Sequence, residues 1–509
     1  MYSKVYSAAI RGVSMEVISV ETDVSDGLPS FEMVGLLNSE VKEAKERVRS
    51  AIKNTGYLLP PKRITVNLSP ADIRKEGSSF DLPIAIGILN SIGLVGGGRD
   101  SVEEPILIAG ELSLSGNVLP MNGVLPMILA AREKGIRRFV IPKSNAYEGA
   151  VVGDVEIFGV RNLRETIDFL NGAKIEKEPY KDFYELYEEY AKGENSQPDF
   201  CLIIGQETVK RAVQVAAAGM HHIILVGSPG SGKSMIAKRI PGILPRPDME
   251  ECMEITKIHS IAGELNGSAV RFHRPFRTPH HTITDKALVG GGKNPKPGEL
   301  TLAHRGVLFL DELAEFKRDA IEALRQPLED GEIVINRLGG TYVFPAGIML
   351  VAATNPCKCG YYPDRNKCFC SEQQVKSYLG KISGPILDRI DICVHTPAVA
   401  VEQLGSKSGE TTDTMRKRVE AAQQIQKERY AKERYRFNSQ MPSSHIEKYC
   451  NMGAKEKAMI NKAYKKLGLS VRAYYKIIKV ARTIADLDNE ENIREAHLAE
   501  AIGYRADLF

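Results

Sequence analysis

A short glycine-rich run has the residue types and spacing of a phosphate-binding loop, G-x-x-x-x-G-K-[ST]. It follows the apolar stretch Ile223–Val226 and precedes a helical pattern, which is the context that such a loop requires. The glycines allow backbone N–H groups to face a β-phosphate, and the start of the helix adds positive potential. Lys233 would lie between the β- and γ-phosphates, and the Ser234 hydroxyl would bind Mg²⁺. The run comprises Gly227, Ser228, Pro229, Gly230, Ser231, Gly232, Lys233 and Ser234.

Two acidic residues follow a second apolar run, Val307–Leu310. A buried strand that ends in acids places them at the carboxyl edge of a parallel sheet, where nucleotides bind. Asp311 is predicted to hold the Mg²⁺ shell, and Glu312 to polarise the attacking water. The alternative interpretation is that the two acids cap the following helix.

A third apolar run, Ile348–Ala353, leads into Thr354 and Asn355. A polar side chain at the tip of a further strand could orient the attacking water and sense the γ-phosphate. Asn355 is therefore a predicted catalytic residue.

Four of the eight cysteines lie in one short segment with the spacing C-x-C-x₈-C-x-C. Four thiolates can form a closed tetrahedral site, which predicts structural zinc. The spacing differs from the usual C-x₂-C pattern, so reduced thiols gathered by chance remain the alternative. The four residues are Cys357, Cys359, Cys368 and Cys370.

The length and composition indicate the elements that must position these residues. A chain of 509 residues corresponds to about three domains, and a net charge of +4 neither favours nor excludes nucleic acid as a partner. The sequence has no apolar run long enough to span a membrane and no signal-peptide pattern at its start, which predicts a cytoplasmic protein with reduced thiols.

The organisation along the chain predicts two α/β regions followed by a helical one. Residues 1–172 alternate strand and helix patterns, and the charged residues 173–197 indicate a linker made of a solvated helix and a tether. Residues 198–397 contain continuous apolar strands, which are typical of a parallel sheet covered by helices on both faces. Residues 398–509 begin with a loop predicted over 398–415 and are otherwise helical, with a core face at Tyr474, Ile477, Ile478, Ala481, Ile484 and Ala485.

Several further motifs accompany the phosphate-binding loop along the chain. They are Arg274–Thr282, Ala287–Gly292, Pro297–Glu299, Ala303–Glu312, Arg325–Gly331 and Thr354–Cys357. With these motifs the chain resembles the AAA+ ATPases, and within them the magnesium-chelatase-like ComM/YifB family of bacterial competence-related proteins. The resemblance extends over nearly the whole chain. It implies ATP as the nucleotide, an AAA+ core over 198–397 and a C-terminal helical lid over 398–509.

The resemblance also assigns roles to residues outside the phosphate-binding loop. Arg389 looks like the arginine finger that reaches the γ-phosphate bound to a neighbouring subunit, and Arg472 resembles the second sensor in the lid. Gly205 and Gln206 resemble the stretch that cradles adenine. A finger that acts between subunits implies a closed ring, and the family suggests a homohexamer. An ion pair of Arg389 with Asp388 or Asp391 is the alternative for that residue.

A hairpin predicted over residues 331–344, with its tip at Gly339-Gly340, is a candidate DNA contact. In MCM-like relatives a hairpin at this place enters the central pore and holds DNA, so Arg337 could contact phosphate. A purely structural hairpin is the alternative. A second candidate is a basic cluster between residues 263 and 296, which comprises Arg271, Arg274, Arg277, Lys286, Lys293 and Lys296.

Residues 1–172 resemble the Lon-protease-like domain of this family. True Lon proteases use a Ser–Lys dyad; here Ser79 lies near the serine position, but Leu125 occupies the lysine position. A serine without a base is a poor nucleophile, so the domain is predicted to be non-proteolytic.

Together these features predict a ring-forming, Mg²⁺-dependent ATPase that acts on single-stranded or branched DNA. The family resemblance implies branch migration in homologous recombination, as in natural transformation. Two alternatives stay open: a metal-insertion motor like the magnesium chelatase subunit, and a protein that uses ATP as a switch to remodel a partner. The sequence assigns no role to His280 and His281.

Overall fold

The structure is a computed structural model that describes residues 1–96, 105–193, 198–292, 294–337, 340–397 and 409–506. Within these ranges, no helix combines the length and the apolar character needed to cross a bilayer. The described chain contains a mixed sheet in its N-terminal part, a parallel sheet in its middle part and helices at its C-terminal end. The mixed α/β class and the parallel sheet predicted from the sequence are confirmed.

The N-terminal part forms a seven-stranded sheet in the order β3-β4-β2-β1-β5-β8-β9. The pairs β1–β2 and β2–β4 are antiparallel, whereas β3–β4, β1–β5, β5–β8 and β8–β9 are parallel. The strands of this part are β1 (Tyr2–Arg11), β2 (Ser14–Ser25), β3 (Ser30–Val34), β4 (Arg63–Ser69), β5 (Ile106–Ile108), β6 (Glu111–Leu112), β7 (Val118–Leu119), β8 (Arg138–Pro142) and β9 (Glu156–Val160). Its helices are α1 (Ser39–Asn54), α2 (Asp81–Ser91), α3 (Val124–Glu133), α4 (Ala146–Gly149), α5 (Leu163–Leu170) and α6 (Phe183–Gly193).

Helix α6 lies in the segment predicted to be a solvated helix and tether; its charged side chains are exposed as predicted, but it also has a buried apolar face. The helix buries Phe183 and Leu186, and the Phe183 ring lies 5.4 Å from the ring of Phe272 in the middle part of the chain. Phe183, Leu186, Tyr187 and Tyr190 follow the i, i+3, i+4, i+7 spacing of an apolar helix face. Charged residues occupy most of the positions between them, so the sequence of this segment is dominated by charge and its apolar face was not predicted. Residues 194–197 fall outside the described ranges.

The middle part contains a five-stranded parallel sheet in the order β11-β14-β17-β10-β18. The strands are β10 (Ile223–Gly227), β11 (Phe276–Arg277), β12 (Gly290–Gly291), β13 (Lys296–Pro297), β14 (Val307–Leu310), β15 (Glu332–Arg337), β16 (Gly340–Pro345), β17 (Met349–Thr354) and β18 (Ile392–Thr396). The helices are α7 (Glu207–Gly219), α8 (Lys233–Ala237), α9 (Ile240–Ile243), α10 (Met249–Ala262), α11 (Asp285–Val289), α12 (Glu299–Leu302), α13 (Arg318–Ala323), α14 (Pro327–Asp330), α15 (Glu372–Leu379) and α16 (Gly384–Leu387).

Successive side chains of the central strands enter two different cores, one on each face of the sheet. In β10, Ile223 and Leu225 belong to one buried cluster, and Ile224 and Val226 belong to the other. Burial on both faces explains why these strands are continuous apolar runs and not alternating ones. The arrangement fixes the carboxyl ends of β10, β14 and β17 side by side.

The C-terminal part is helical where it is described. Its helices are α17 (Thr412–Arg429), α18 (Ile446–Tyr449), α19 (Ala454–Leu467), α20 (Val471–Leu487) and α21 (Glu495–Ala506). The predicted core face of α20 is confirmed, because Ile477, Ala481 and Ile484 are fully buried in the cluster that covers one face of the parallel sheet. Helix α17 starts at Thr412, so the loop predicted over 398–415 ends earlier than expected; residues 398–408 lie outside the described part.

Candidate nucleotide-binding site

The phosphate-binding loop connects the end of β10 to the start of α8, as the sequence predicts. Gly230 and Gly232 have φ of +77° and +85°, a backbone conformation that residues with a Cβ atom rarely adopt. A Cβ atom at Gly227 would lie 2.0 Å from the Thr396 hydroxyl of the neighbouring strand β18. The glycines are therefore required by backbone geometry and by close packing.

The loop, the acidic strand end and the third strand meet at one place. The Lys233 ammonium donates to the carbonyl oxygens of Gly227 (2.7 Å) and Ser228 (2.9 Å) and to Oδ1 of Asn355 (3.2 Å). The Ser234 hydroxyl donates to Oδ2 of Asp311 at 2.6 Å. The structure thus brings together four of the residues predicted from separate motifs.

The electrostatics of this place suit a phosphate anion. Burial lowers the pKa of Lys233, and the nearby carboxylates of Asp311 and Glu312 partly oppose that effect. The lysine is held by neutral carbonyl and amide oxygens, which a charged phosphate would displace from the ammonium. A hydroxyl and a carboxylate side by side, Ser234 and Asp311, are the hard oxygen ligands that Mg²⁺ prefers, so these residues fit that ion.

Glu312 lies beside the site with an unusual backbone, at φ +53°, and its side chain is 57% exposed. The Glu312 carboxylate makes no capping hydrogen bond to the short helical turn that follows, which disfavours the alternative of a helix cap for this acid. The structure adds a neighbour that the sequence did not assign. Nδ1 of His281 lies 3.7 Å from Oε2 of Glu312, and the rings of His280 and His281 are 4.1 Å apart.

Gly205 and Gln206 lie against the other side of the loop. Both have positive φ, +63° and +57°, immediately before α7. The Gln206 amide donates to the carbonyl oxygens of Ser231 (2.8 Å) and Pro397 (3.2 Å), so this residue ties the loop to the end of β18. This position is compatible with the predicted contact to adenine, which stays a prediction.

Arg389 and Arg472 meet on Glu329 and not at the loop. Nη2 of Arg389 lies 2.6 Å from one Glu329 oxygen, and Arg472 contacts the other. The Arg389 guanidinium also donates to the Arg325 carbonyl oxygen at 2.6 Å. The alternative pairing of Arg389 with an adjacent acid is wrong, because the observed carboxylate is that of Glu329. In the described part of the chain, the Lys233 ammonium donates to Gly227, Ser228 and Asn355, and both arginines lie elsewhere, on Glu329.

The four clustered cysteines converge directly after Asn355. Their sulfur atoms all lie within 4.8 Å of one another, and the Sγ of Cys357 is 3.3 Å from that of Cys359 and 3.7 Å from that of Cys368. Four sulfurs bound to one zinc ion at about 2.3 Å would be about 3.8 Å apart. The donor set and its spacing therefore fit a four-thiolate zinc site.

The predicted hairpin is present as the antiparallel pair β15–β16, with Arg337 opposite Gly340. Arg337 is exposed and donates to the Gly292 carbonyl oxygen at 3.1 Å. The predicted tip residue Gly339 lies outside the described residues. A Cβ atom at Gly12, in the turn between β1 and β2, would contact the Val343 carbonyl oxygen at 3.4 Å, so the hairpin lies against the N-terminal sheet.

Two arginines of the basic cluster predicted between residues 263 and 296 are paired with acids, whereas its Lys286 and Lys296 are exposed. Arg277 pairs with Glu264 (2.9 Å) and Glu299 (2.7 Å), and the buried Arg274 pairs with Glu251 at 2.9 Å. These arginines hold the core together and are not a free cationic surface. Lys293 lies outside the described ranges.

Leu125, at the position where a Lon protease has its lysine, is fully buried in α3. Its backbone N–H donates to the Glu148 carboxylate at 2.9 Å. The apolar Leu125 side chain cannot activate Ser79, and the lack of proteolytic activity stays a prediction.

Comparison with known proteins extends the similarity beyond the site. Family models described as "Magnesium chelatase, subunit ChlI", "Subunit ChlI of Mg-chelatase" and "Magnesium chelatase, subunit ChlI C-terminal" match residues 199–404, 20–145 and 409–505. The chain is 45% identical to the competence protein ComM of Haemophilus influenzae, over 99% of this chain and 97% of that protein. It is 39% identical to the uncharacterized protein YifB of Escherichia coli, over 99% and 97%.

A shorter match is to the magnesium-chelatase 38 kDa subunit of Rhodobacter capsulatus. The identity is 27%, over 33% of this chain and 53% of that protein. ComM and YifB are more similar to this chain, and each match covers nearly the whole length of both aligned proteins. The family model that matches residues 199–404 includes the phosphate-binding loop. The chain belongs to the ComM/YifB family of magnesium-chelatase-like AAA+ ATPases.

Proposed function

We propose that this protein is a ring-forming, Mg²⁺-dependent ATPase that moves on single-stranded or branched DNA and drives branch migration in homologous recombination, as in natural transformation. The observation that carries the ATPase part is the meeting of Lys233, Ser234, Asp311 and Asn355 at one sheet edge. The full-length similarity to a protein named for competence supports the DNA part. We place the activity in the cytoplasm, where ATP and DNA are both available.

In this proposal each residue of the site has one task. Lys233 binds the β- and γ-phosphates, Ser234 and Asp311 hold Mg²⁺, and that ion neutralises charge on the phosphates. Glu312 accepts a proton from the attacking water, and Asn355 orients that water. The exposure of Glu312 leaves its carboxylate accessible to water and substrate.

Completion of the site requires a second subunit. Arg389 and Arg472 are held together at Glu329, away from the contacts of Lys233 in the same chain. In a ring, both guanidinium groups would approach the γ-phosphate of the neighbouring subunit. A planar guanidinium suits this task because it spreads its charge over a fork of donors. We propose a homohexamer on the basis of the family resemblance.

We propose that the β15–β16 hairpin grips DNA and that Arg337 contacts a phosphate. The exposure of this arginine at the end of a two-stranded hairpin supports the proposal. We also propose that the four clustered cysteines hold a structural zinc ion, because the spacing of their sulfur atoms fits that ion.

The test measures ATP hydrolysis by the purified chain with no DNA, with single-stranded DNA and with a four-way junction, across a salt series. We expect DNA to stimulate hydrolysis, and binding to weaken as salt rises because phosphate contacts release counterions. The same junction, labelled on one strand, reports branch migration when ATP is added. The variant Lys233→Ala is the control and should hydrolyse no ATP. Hydrolysis that no DNA form stimulates, together with an unmoved junction, would overturn the DNA proposal.

A metal-insertion motor is the second candidate. The descriptions of the matching family models and the 27% identity to a chelatase subunit favour it. The shorter coverage of that match, one third of this chain against 99% for ComM, favours the DNA motor. The second candidate would be supported if no DNA stimulates ATP hydrolysis, but a metal-free porphyrin together with chelatase partner subunits raises the hydrolysis rate.

A further inference from the structure

The cysteine cluster and the nucleotide site are joined by a very short piece of chain. Strand β17 ends at Thr354, Asn355 follows and contacts the Lys233 ammonium at 3.2 Å, and Cys357 comes two residues later. Cys357 is fully buried. Only Pro356 separates Cys357 from Asn355, so a displacement of the cluster would also displace the side chain that contacts Lys233.

A second contact joins the cluster to the phosphate-binding loop itself. Gly360 lies in the turn between Cys359 and the next part of the cluster, with φ +87°, and its N–H donates to the Cys357 carbonyl oxygen at 3.0 Å. A Cβ atom at Gly360 would lie 2.4 Å from Cδ and 2.8 Å from Cγ of Pro229. The turn formed by the first two cysteines thus rests directly on the loop that binds phosphate.

Between its cysteines, this segment is held by local turn hydrogen bonds, such as Cys368 N–H to the Asp364 carbonyl oxygen (2.8 Å) and Arg365 to the Cys370 carbonyl oxygen (2.8 Å). Residues 357–370 contain neither helix nor strand. The buried cluster beneath them consists of Cys357, Cys368 and Val375, with Tyr362, Cys370 and Leu379 packed at its margin. So small an apolar core is a weak anchor for an irregular segment, because ordering each residue has an entropic cost. A bond network through one metal ion would supply the missing constraint, as in other small four-thiolate modules.

We propose that the four-cysteine centre is a working part of the nucleotide site: a thiophilic divalent cation, zinc, holds the Gly360 turn against Pro229 and fixes Asn355, so that ATP affinity depends on metal occupancy. The inference rests on the proposed binding of ATP at Lys233. It differs from a purely structural zinc site, which would stabilise the chain without changing nucleotide binding.

The first test separates steric contact from metal loss. Gly360→Ala adds a Cβ atom against Pro229 but leaves all four thiolates in place. Gly135→Ala is a matched control, because Gly135 has nearly the same φ, +85°, and nothing within 4 Å of the added atom. We expect both variants to retain one zinc per chain by elemental mass spectrometry. The dissociation constant of a fluorescent ATP analogue should rise at least fivefold in Gly360→Ala and less than twofold in Gly135→Ala.

The second test removes the metal. Cys368→Ser should lose the zinc and weaken ATP-analogue binding at least fivefold, whereas Cys252→Ser, whose hydroxyl can replace the thiol that donates to the Pro247 carbonyl oxygen, should change neither. Because Cys368→Ser could also impair folding, the native chain is stripped of zinc with a mercurial and a chelator, its fold is checked by circular dichroism, and binding is measured before and after zinc chloride is restored. We expect the affinity to fall and recover.

The outcomes distinguish this inference from the proposed function. If the native chain binds no ATP analogue, or binds it as weakly as Lys233→Ala, the nucleotide site itself is wrong. If the native chain binds ATP tightly and holds no zinc, or if stripping and Gly360→Ala leave the affinity unchanged, the coupling is overturned while the ATPase assignment stands.

Discussion

Glu329 lies in the Arg325–Gly331 motif, but no sequence pattern assigned a role to this residue. A carboxylate that binds two arginines from distant parts of the chain, Arg389 and Arg472, holds their guanidinium groups side by side. The three side chains line a cavity of about 880 Å³ between the parallel sheet and the C-terminal helices. In the proposed ring, Glu329 would position both arginines for the γ-phosphate of another subunit.

We expect Glu329→Gln to lower the turnover of assembled protein by about ten- to a hundredfold, because misplaced catalytic groups carry penalties of that size. The affinity for ATP should stay the same, since Glu329 does not touch the phosphate-binding loop of its own chain. The thermal midpoint should change little, because exposed ion pairs contribute about 0–1 kcal/mol. The measurement compares steady-state hydrolysis with equilibrium binding of an ATP analogue.

Glu322→Gln is the matched control, because Glu322 forms a similar surface pair with Arg325 at 2.9 Å. Equal turnover in Glu329→Gln and the native chain would show that the arginines need no positioning by this carboxylate.

At the scale of elements, the sequence predicted best where one local pattern determines one element. The strand Val307–Leu310 has the predicted bounds, because a short, continuous apolar run is typical of a strand that is buried on both faces of a sheet. Helix α1 (Ser39–Asn54), one of the helix patterns of residues 1–172, also begins at a local signal, because the Asn38 side chain accepts the N–H of Val41 and caps the helix. The residues gathered around Lys233 were predictable for the same reason, since strand ends in a parallel sheet share an edge.

The predictions that failed depended on partners far away in the chain. The positive charges of Arg274 and Arg277 suggested a DNA surface, but the acids that neutralise them come from other elements. The buried face of α6 was not predicted, because Phe272, which covers Phe183, lies almost ninety residues away. Local composition carries no information about such long-range pairs.

The β15–β16 hairpin carries the element-scale prediction. We expect Arg337→Ala to weaken binding of single-stranded DNA and to reduce the slope of log affinity against log salt by about one, because one phosphate contact is lost. Fluorescence anisotropy with a labelled oligonucleotide at several salt concentrations measures both quantities. Lys465→Ala, which removes an exposed charge on α19, is the control and should leave the slope unchanged. An unaltered slope in Arg337→Ala would identify the hairpin as structural.

At the scale of the whole molecule, the N-terminal sheet and the ATPase core are joined by a buried polar contact. Glu148 accepts hydrogen bonds from the Leu125 N–H at 2.9 Å and from the Ser260 hydroxyl of α10, and the Ser260 carbonyl oxygen accepts the Gly123 N–H at 3.1 Å. Helices α3 and α10 therefore meet through a carboxylate that the surrounding chain shields from water.

Burial raises the pKa of Glu148 above its ordinary value of 4.5, and its hydrogen bonds only partly oppose this effect. A carboxyl whose pKa is higher in the folded chain than in the unfolded one favours folding below pH 4.5. This contribution is lost as the pH rises through the folded pKa. When it is charged, the buried carboxylate must therefore rely on its donors, and Ser260 is one of them.

We expect Ser260→Ala to loosen the junction by about 1–3 kcal/mol while Glu148 is charged, the cost of a buried polar group that lacks a partner. The loss should be smaller once the pH falls below the raised pKa of Glu148 and the carboxyl takes up a proton. Hydrogen-exchange protection of α3 and α10, corrected for the intrinsic rate at each pH, reports this loss.

Ser91→Ala is the matched control, because the buried Ser91 hydroxyl donates only to the Ile88 carbonyl oxygen (2.8 Å) and its loss should not vary with pH. The double variant Glu148→Gln with Ser260→Ala should recover part of the protection at pH 7, since a neutral amide needs fewer donors. If the loss in Ser260→Ala is the same at both pH values, the junction between the two parts of the molecule does not depend on the charge of Glu148.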